Sequence, residues 1–386
     1  MGQFSDFLEN EDILPISINN KHEFHNAISN IRNSWSGRAD IYESNTFIME
    51  AAKTLINSIR LFELGYFDAA YYSLRSSIEV STTVMYLADI PDLETRKEKL
   101  KSWNEVGFFP DFSRMITYLK SNGTVYQDLS SIMPEYLDGI VNLNRELNKY
   151  VHKQGYGNLY VSANHPLYTG MSLEDRLNTY EQYLKQTIGI VGFMRLVVDP
   201  MPVLLRDEEI VSRLPSSFMT EAYCDNFISD YIGELNVKNY VKTKIYKIHY
   251  DYFVQFEKKP ICIVDIIQDN HVDTRKKSEI LENLKFLDIN SKICTRLILS
   301  CDKVCSVISE NSSLSIWSER YDIGIGLGWS SRLFKDYRQM KDGFNISQDK
   351  YFLSFIDISD IGYILNHNEH LTGDDIENIM QVKNTL

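Results

Sequence analysis

The sequence predicts an α+β protein: an N-terminal all-α helical bundle followed by a mixed α/β C-terminal domain. Three observations predict it. Apolar residues recur at helical spacing through roughly the first 200 residues. After Pro215 the pattern shifts to alternating and continuous apolar runs. The length, 386 residues, exceeds what one hydrophobic core usually serves.

The elements follow in order. Residues 1–40 read as a loose N-terminal arm rich in Asn, Ser and His. From Ser44 to Phe62 the apolar positions Phe47, Ile48, Ala51, Leu55, Ile59 and Phe62 keep helical spacing. Leu64-Gly65-Tyr66 breaks that helix. A second runs from Phe67 to near Ala88, with Ala70, Leu74, Ile78 and Met85 on one stripe, and Asp89-Ile90-Pro91 stops it. Shorter helices fit 94–103 and 112–119. After Ser130-Ser131 a strong helix begins with Pro134 in its first turn and runs to about Lys153, where Gly155 and Gly157 end it. Another covers about 172–198, closed by Pro200 and Pro202. The bundle is thus expected over 41–205, a linker at about 203–220, and the α/β domain over 220–386. In that domain Lys244–Phe256 alternates as a strand, Glu257–Pro260 turns, and Ile261–Ile267 forms a buried strand. A helix over 276–287, strands at 296–300 and 351–358 and a terminal helix at 374–382 complete it.

Composition bounds the function. Apolar residues make up 44% and charged residues 24%, which fits a soluble globular chain rather than a disordered one. The net charge of −13 is spread over both halves. It excludes a broad basic nucleic-acid face and leaves room only for a local patch. The five cysteines all lie in the C-terminal half without CxxC spacing, so reduced thiols in a cytoplasmic protein are expected. The N-terminus lacks a signal-peptide pattern, Asp6 stands where myristoylation needs Ser or Thr, and no apolar stretch approaches the ~20 residues of a membrane helix. No membrane partner is expected.

The sharpest chemical feature is Arg145-Glu-Leu-Asn-Lys-Tyr-Val-His152. Seven helical residues turn about 700°, so Arg145 and His152 lie within roughly 20° of each other, two turns apart. Asn148 sits between them. The apolar stripe is Leu137, Ile140, Leu143, Leu147 and Val151, and Arg145 and His152 fall at its edge. RNA can be cleaved without a metal or cofactor when its 2′-hydroxyl attacks the adjacent phosphate. A histidine moves the proton, an arginine holds the developing charge, and an asparagine orients the phosphate. Arg75 and Glu79, four apart on the earlier helix, form either a simple salt bridge or a support, with Glu79 reaching across to orient Arg145 or His152.

RELNKYVH, with six residues between Arg145 and His152, resembles the Arg-x4-6-His motif of the HEPN superfamily. The earlier hairpin, Leu61-Phe-Glu-Leu-Gly65-Tyr66-Phe67-Asp68-Ala69-Ala70 followed by Leu74-Arg75-Ser-Ser-Ile78-Glu79, is similar to that of these bundles. The resemblance covers roughly residues 40–200. It implies a metal-independent endoribonuclease acting as a toxin or antiviral-defence effector. It also implies a homodimer through the bundle, RNA as substrate, and an antitoxin or regulatory protein as partner. Arg145 would bind phosphate and His152 would be catalytic. Glu146 stands directly after the arginine, where the family favours a polar, often amide, residue.

The C-terminal half carries weaker features. Lys238, Lys242, Lys244 and Lys247 interleave with Tyr240, Tyr246 and Tyr250, a pattern that grips single-stranded nucleic acid or a strand with lysines facing water. Asp251 and Asp265 flank the expected turn, which resembles the hairpin of PD-(D/E)xK nucleases. The resemblance implies a divalent metal there, although the triplet Asp265-Ile266-Ile267 lacks the lysine. His367 and His370 are expected in a surface loop, and Gly324, Gly326 and Gly328 in a flexible one. Two further readings stand beside the ribonuclease: a non-catalytic dimeric scaffold, and a metal-dependent nuclease of the C-terminal domain.

Overall fold

The computed structural model describes residues 15–90, 92–107, 110–159, 172–321, 331–339, 343–348 and 350–384. The chain divides into two compact units, Met1–Ile210 with Phe218–Gln255, and Val211–Ser217 with Phe256–Leu386. Residues 218–255, which the sequence assigns to the C-terminal half, thus pack with the helical unit.

Among the described residues, the regular elements of the first unit are all helical. Helix α1 (Lys21–Asn33) buries Phe24, Ala27, Ile28 and Ile31, so this part of the expected loose arm is a packed element. Helices α2 (Glu43–Glu63) and α3 (Phe67–Ala88) form an antiparallel hairpin. Its turn is closed by Gly65 at φ 85, a left-handed position that glycine adopts without strain. Small residues let the two backbones approach closely: Ser77 Oγ donates to the Ala51 carbonyl at 3.1 Å and Ser58 Oγ to the Ala70 carbonyl at 2.8 Å. The stripes read from sequence, Ile48, Ala51, Leu55, Ile59, Phe62 and Ala70, Leu74, Ile78, Met85, are buried.

Helices α4 (Leu93–Val106), α5 (Phe112–Asn122) and α6 (Thr124–Ile132) lead to α7 (Pro134–Val151), which lays Leu137, Ile140, Leu143 and Leu147 into the core against α3. Helix α8 (Leu173–Leu196) is the central strut, and from Thr187 to Leu196 every residue is buried. Tyr180 stacks on Phe62 at 3.7 Å. Gly189 and Gly192 let the turn of π-helix Ile228–Ile232 and Phe227 lie directly on α8.

Lys244–Phe256 is not a strand. Helices α9 (Glu234–Tyr240) and α10 (Lys244–Phe253) occupy this region. The same run also places Tyr246, Tyr250 and Phe253 at helical spacing. Tyr246 and Phe253 are buried, while Ile248 and Tyr252 face out, so packing of the helical stripe overrides the β-propensity.

The second unit is α/β. Ile261–Ile267 likewise lies in a helix, α11 (Ile261–Asp269), which opens after Pro260 and closes at Asn270 with φ 54. Helix α12 (Lys277–Glu282) is shorter than expected. Residues 296–300, expected as a strand, end helix α13 (Ile289–Ser300). Helices α14 (Ser331–Arg338) and α15 (Gly373–Gln381) follow, the latter opened by a capping box between Thr372 and Asp375. The strands are β1 (His271–Val272), β2 (Val304–Ser309), β3 (Ser315–Ser318), β4 (Ile346–Gln348), β5 (Tyr351–Ile358) and β6 (Ile361–His367). They form one sheet in the order β1-β3-β2-β6-β5-β4, antiparallel except for β1 with β3. One face packs Val307, Tyr363 and Leu365 against Cys294, Leu297 and Ile298 of α13. The other packs Ile308, Leu353 and Ile364 against Phe334 of α14.

Candidate functional site

Three of the candidate residues, Arg75, Glu79 and His152, come together where α3 packs on the C-terminal end of α7. On α3, Asp68, Tyr72, Arg75 and Glu79 stand at i, i+4, i+7 and i+11, one stripe of a helix. On α7, the last turn ends in a Schellman closure: Gln154 N–H donates to the Lys149 carbonyl at 2.9 Å and Lys153 N–H to the Tyr150 carbonyl at 3.4 Å. Lys153 takes the left-handed position at φ 51, where glycine is the usual occupant. This closure sets His152 as the C-cap and turns Lys153 back onto α3, where it pairs with Asp68.

The histidine meets the arginine of the other helix. Arg75 Nη1 lies 3.5 Å from His152 Nε2, and Arg75 Nη2 is held by Glu79 at 2.8 Å. A guanidinium only donates, so the ring nitrogen facing it accepts. The two readings of the Arg75/Glu79 pair therefore merge. It is an i,i+4 salt bridge, and through Arg75 it reaches His152, whereas no contact to Arg145 is made by Glu79.

The charges at this end of the bundle pair off. Lys149 holds Glu146 at 2.7 Å, Lys153 holds Asp68 and Arg75 holds Glu79. Glu146, the carboxylate beside Arg145, is thus neutralised by its own helix. Arg145 is exposed and, among the described residues, has neither ion pair nor hydrogen bond. Asn148 is half-buried and turns inward. Its Nδ2 donates to Asn144 Oδ1 at 3.3 Å, and its own Oδ1 is buried without a partner.

An aromatic layer backs the site. Tyr71 stacks on Tyr150 at 4.3 Å, and Tyr183 meets both edge-on. Burial, then the neighbouring Tyr150 and Glu146, pushes the Tyr183 phenol up to about 12, and burial and Glu146 raise Tyr150 as well. These phenols stay neutral and serve as walls rather than proton carriers. A groove of about 580 Å³ runs along α7 and α8 and is lined by Tyr136, Gly139, Asn142, Glu146, Gln186 and Tyr231, among others. It takes in Glu146 but neither Arg145 nor His152.

The other sequence features fare differently. Lys242, Lys244 and Lys247 are exposed around the start of α10, while Tyr240 is buried with its hydroxyl donating to the Leu196 carbonyl at 2.6 Å. Tyr246 stacks on Tyr250 at 6.1 Å. The tyrosines and lysines therefore do not share a face for stacking plus charge. Asp251 lies on α10 and Asp265 on α11, so the strand-turn-strand that was to present them is replaced by helices. Among the described residues no group of three His, Cys, Asp or Glu side chains could hold a metal ion. His367 is not in a surface loop: it ends β6, buried, with Nε2 2.9 Å from Ser354 Oγ and Nδ1 2.7 Å from the Glu369 carbonyl. His370 is exposed. Gly324, Gly326 and Gly328 lie outside the described residues. Cys262, Cys294, Cys301 and Cys305 are buried free thiols, and Cys224 is an exposed one. No helix among the described residues is long and apolar enough to cross a membrane.

Sequence reasoning missed Asp68, Tyr72 and Lys153. The i, i+4, i+7, i+11 spacing that joins Asp68 and Tyr72 to Arg75 and Glu79 was the available signal. Comparison with protein-family models, with curated proteins and with solved structures finds no match to this chain.

Proposed function

We propose that the helical unit is a metal-independent, HEPN-like endoribonuclease whose reaction centre is His152 with Arg75 and Arg145. The observation that supports this is the charge pattern. Every other charged side chain named at the α3–α7 junction has a partner, and Arg145 is left free on the same helix face as His152. An unpaired arginine and an accepting imidazole, two helical turns or about 10 Å apart along the axis, supply the two kinds of group that a phosphodiester needs.

In this reading the phosphate docks on Arg145 and draws the Arg75 guanidinium onto its oxygens, and His152 Nε2, released from that guanidinium, takes the proton of the 2′-hydroxyl. The bond from that oxygen to phosphorus forms and the bond from phosphorus to the 5′-oxygen breaks. The proton returns from His152 to the leaving oxygen, giving a cyclic phosphate and a free 5′-hydroxyl. Arg75, placed by Glu79, shares the charge of the phosphorane. Two copies of the bundle, each giving one such helix, would complete the site in a cytoplasmic toxin or defence effector. The α/β unit would sense the trigger or bind a regulatory protein.

The test is cleavage of an RNA pool in a chelating buffer by wild type and His152→Ala. Loss of about 10²–10⁴-fold in the variant is expected for removal of a general base. Equal cleavage by both proteins, or none by either, sinks the proposal. A second reading, a non-catalytic partner-binding bundle, is favoured by the groove along α7 and α8. It expects no His152-dependent cleavage.

A further inference from the structure

We infer that the groove along α7 and α8 is the docking site for one helix of another protein, a helix apolar along its contact face with a Lys or Arg near each end, about eleven residues apart. The groove includes neither Arg145 nor His152, so the inference stands apart from the chemistry proposed at His152.

The groove holds about 580 Å³, within the range of built binding sites. Its α7 side is a straight stripe: Glu135, Gly139, Asn142 and Glu146 all line it and stand at i, i+4, i+7 and i+11. Eleven residues turn about 1100°, so Glu135 and Glu146 lie within roughly 20° of each other and about 16 Å apart along the axis. Beside the stripe the lining is apolar, with Ile140, Leu143, Ile190 and Ile232 buried. The polar groups of two other lining residues are already spent. Tyr136 OH donates to the Gly189 carbonyl at 3.4 Å, and Asn236 Nδ2 to the Ile232 carbonyl at 2.6 Å. An occupant therefore meets an apolar floor with a carboxylate at each end of one wall.

Gly139 sits near the middle of that wall. A glycine inside a helix weakens it relative to alanine. Close packing within the chain does not require this one, since a Cβ there would meet nothing within 4 Å. Gly189 on α8, by contrast, is required by the Tyr231 carbonyl pressed against it. A missing side chain at the open centre of an apolar groove is a hole for an incoming side chain. The walls are helices, which offer no free backbone edge to an extended strand. The occupant is thus a helix laid into the groove.

Charge chooses which helix. Among the described lining residues none is basic. Glu135 has, among the described residues, neither ion pair nor hydrogen bond. Lys149 holds Glu146 at 2.7 Å, but both groups are half-exposed on one helix, and such a pair exchanges readily for a cation from outside. Lys185 touches the groove only through Tyr231, lying over that ring at 5.7 Å. A second copy of this face fits badly. Antiparallel about a two-fold axis, Glu135 of each copy would meet Glu146 of the other; parallel, each glutamate would meet its own equivalent. Like charges oppose both arrangements, and a foreign helix with basic ends satisfies both carboxylates.

The experiment selects a display library of helical peptides, about 18 residues long and randomised along one face, on the full chain. Selected peptides are expected to share a large apolar residue between two Lys or Arg about eleven positions apart. One of them, labelled and measured by fluorescence anisotropy, should bind Gly139→Leu at least about tenfold more weakly than wild type, because the new side chain fills the hole. The double variant Glu135→Lys, Glu146→Lys should also lose at least about tenfold, and the same peptide with its two cations changed to Glu should regain it. The regain reads charge alone and shows that the double variant is folded. Failure to select any binder, binders without the paired cations, undiminished binding to Gly139→Leu, or no regain on the charge swap overturns the inference. A dimer seen by sedimentation that Gly139→Leu splits into monomers overturns it too, since the groove then belongs to a second copy.

Discussion

Arg75 and His152 meet across the packing of α3 on α7, with guanidinium and imidazole 3.5 Å apart, and Glu79 grips the same guanidinium from the other side. Arg75 is half-buried and its Nε is buried without a partner. Replacing Glu79 by Gln removes the anchoring charge and keeps the shape. Cleavage is expected to fall about tenfold in kcat with KM little changed, because Arg75 then loses its fixed fork rather than its charge. Arg75→Lys should fall at least as far, since one ammonium cannot face Glu79 and His152 in a planar fork. Steady-state kinetics on a labelled oligonucleotide read this directly. A Glu79→Gln enzyme with wild-type kcat would show the pair to be an ordinary helix-surface ion pair.

In the proposed reaction Arg145 meets the phosphate, and that role has a salt signature. Each phosphate contact releases counterions, so removing one lowers the slope of log affinity against log salt by about 1. Arg145→Ala, measured by fluorescence anisotropy on a non-cleavable 2′-deoxy strand across a salt series, should show that smaller slope. Lys149→Ala should not, because Lys149 already holds Glu146 at 2.7 Å. A slope unchanged in Arg145→Ala places the phosphate elsewhere.

The helical unit was largely legible in the sequence because its stripes are long. From Ile48 to Phe62, and again from Ala70 to Met85, apolar spacing alone names the buried face. The co-facial Arg145 and His152 follow from the same geometry. What sequence could not give was the partner of each. Glu146 finds Lys149, and Glu79 reaches His152 only through Arg75; such choices are made by rotamers and neighbouring helices. The chain after Pro215 was harder. Alternating aromatics over 244–256 satisfy a two-residue and a helical period at once. The short apolar run 261–267 has no periodicity to separate a strand from a helix. Asn148, counted with the site from its position on the helix, spends its amide on Asn144 instead.

Gly189 tests the packing that supports α8. A Cβ there would run into the Tyr231 carbonyl oxygen, and one at Gly192 would lie 2.6 Å from Phe227 Cζ. The carbonyl belongs to a backbone turn and cannot swing away as a side chain does. Gly189→Ala should therefore destabilise the helical unit by about 1–3 kcal/mol despite the better helix propensity of alanine. Gly139→Ala is the control: it is on α7, and its Cβ would meet nothing within 4 Å. It should gain up to about 1 kcal/mol. Urea titrations followed by circular dichroism compare the two. A neutral Gly189→Ala would mean that the turn at Ile228–Ile232 does not lie on α8 in solution.

His249 gives the helical unit an acid sensitivity whose sign is fixed by its partners. Its Nε2 lies 2.8 Å from Arg38 Nη1 and its Nδ1 2.8 Å from the Ile245 carbonyl. One nitrogen therefore accepts from a guanidinium that can never accept in return, and the other donates to the backbone. Protonation would set two donors face to face. Burial holds the imidazole below its ordinary value of 6.5; the Ile245 carbonyl pulls the other way, Arg38 adds a smaller push down, and Asp199 and Asp40 oppose it more weakly still. A histidine depressed in the folded state binds its proton more readily when unfolded. Its contribution to stability is thus complete above 6.5 and is lost as pH falls below that value toward the folded-state one. Unfolding by urea at about pH 7.5 and about pH 5.5 should show wild type weaker at the lower pH. His249→Leu should start less stable, having left Arg38 without that acceptor, but lose less between the two. His367, depressed by burial in the second unit, keeps its own share of the acid sensitivity in both proteins. If His249→Leu loses as much stability as wild type over that interval, His249 is not the group that titrates.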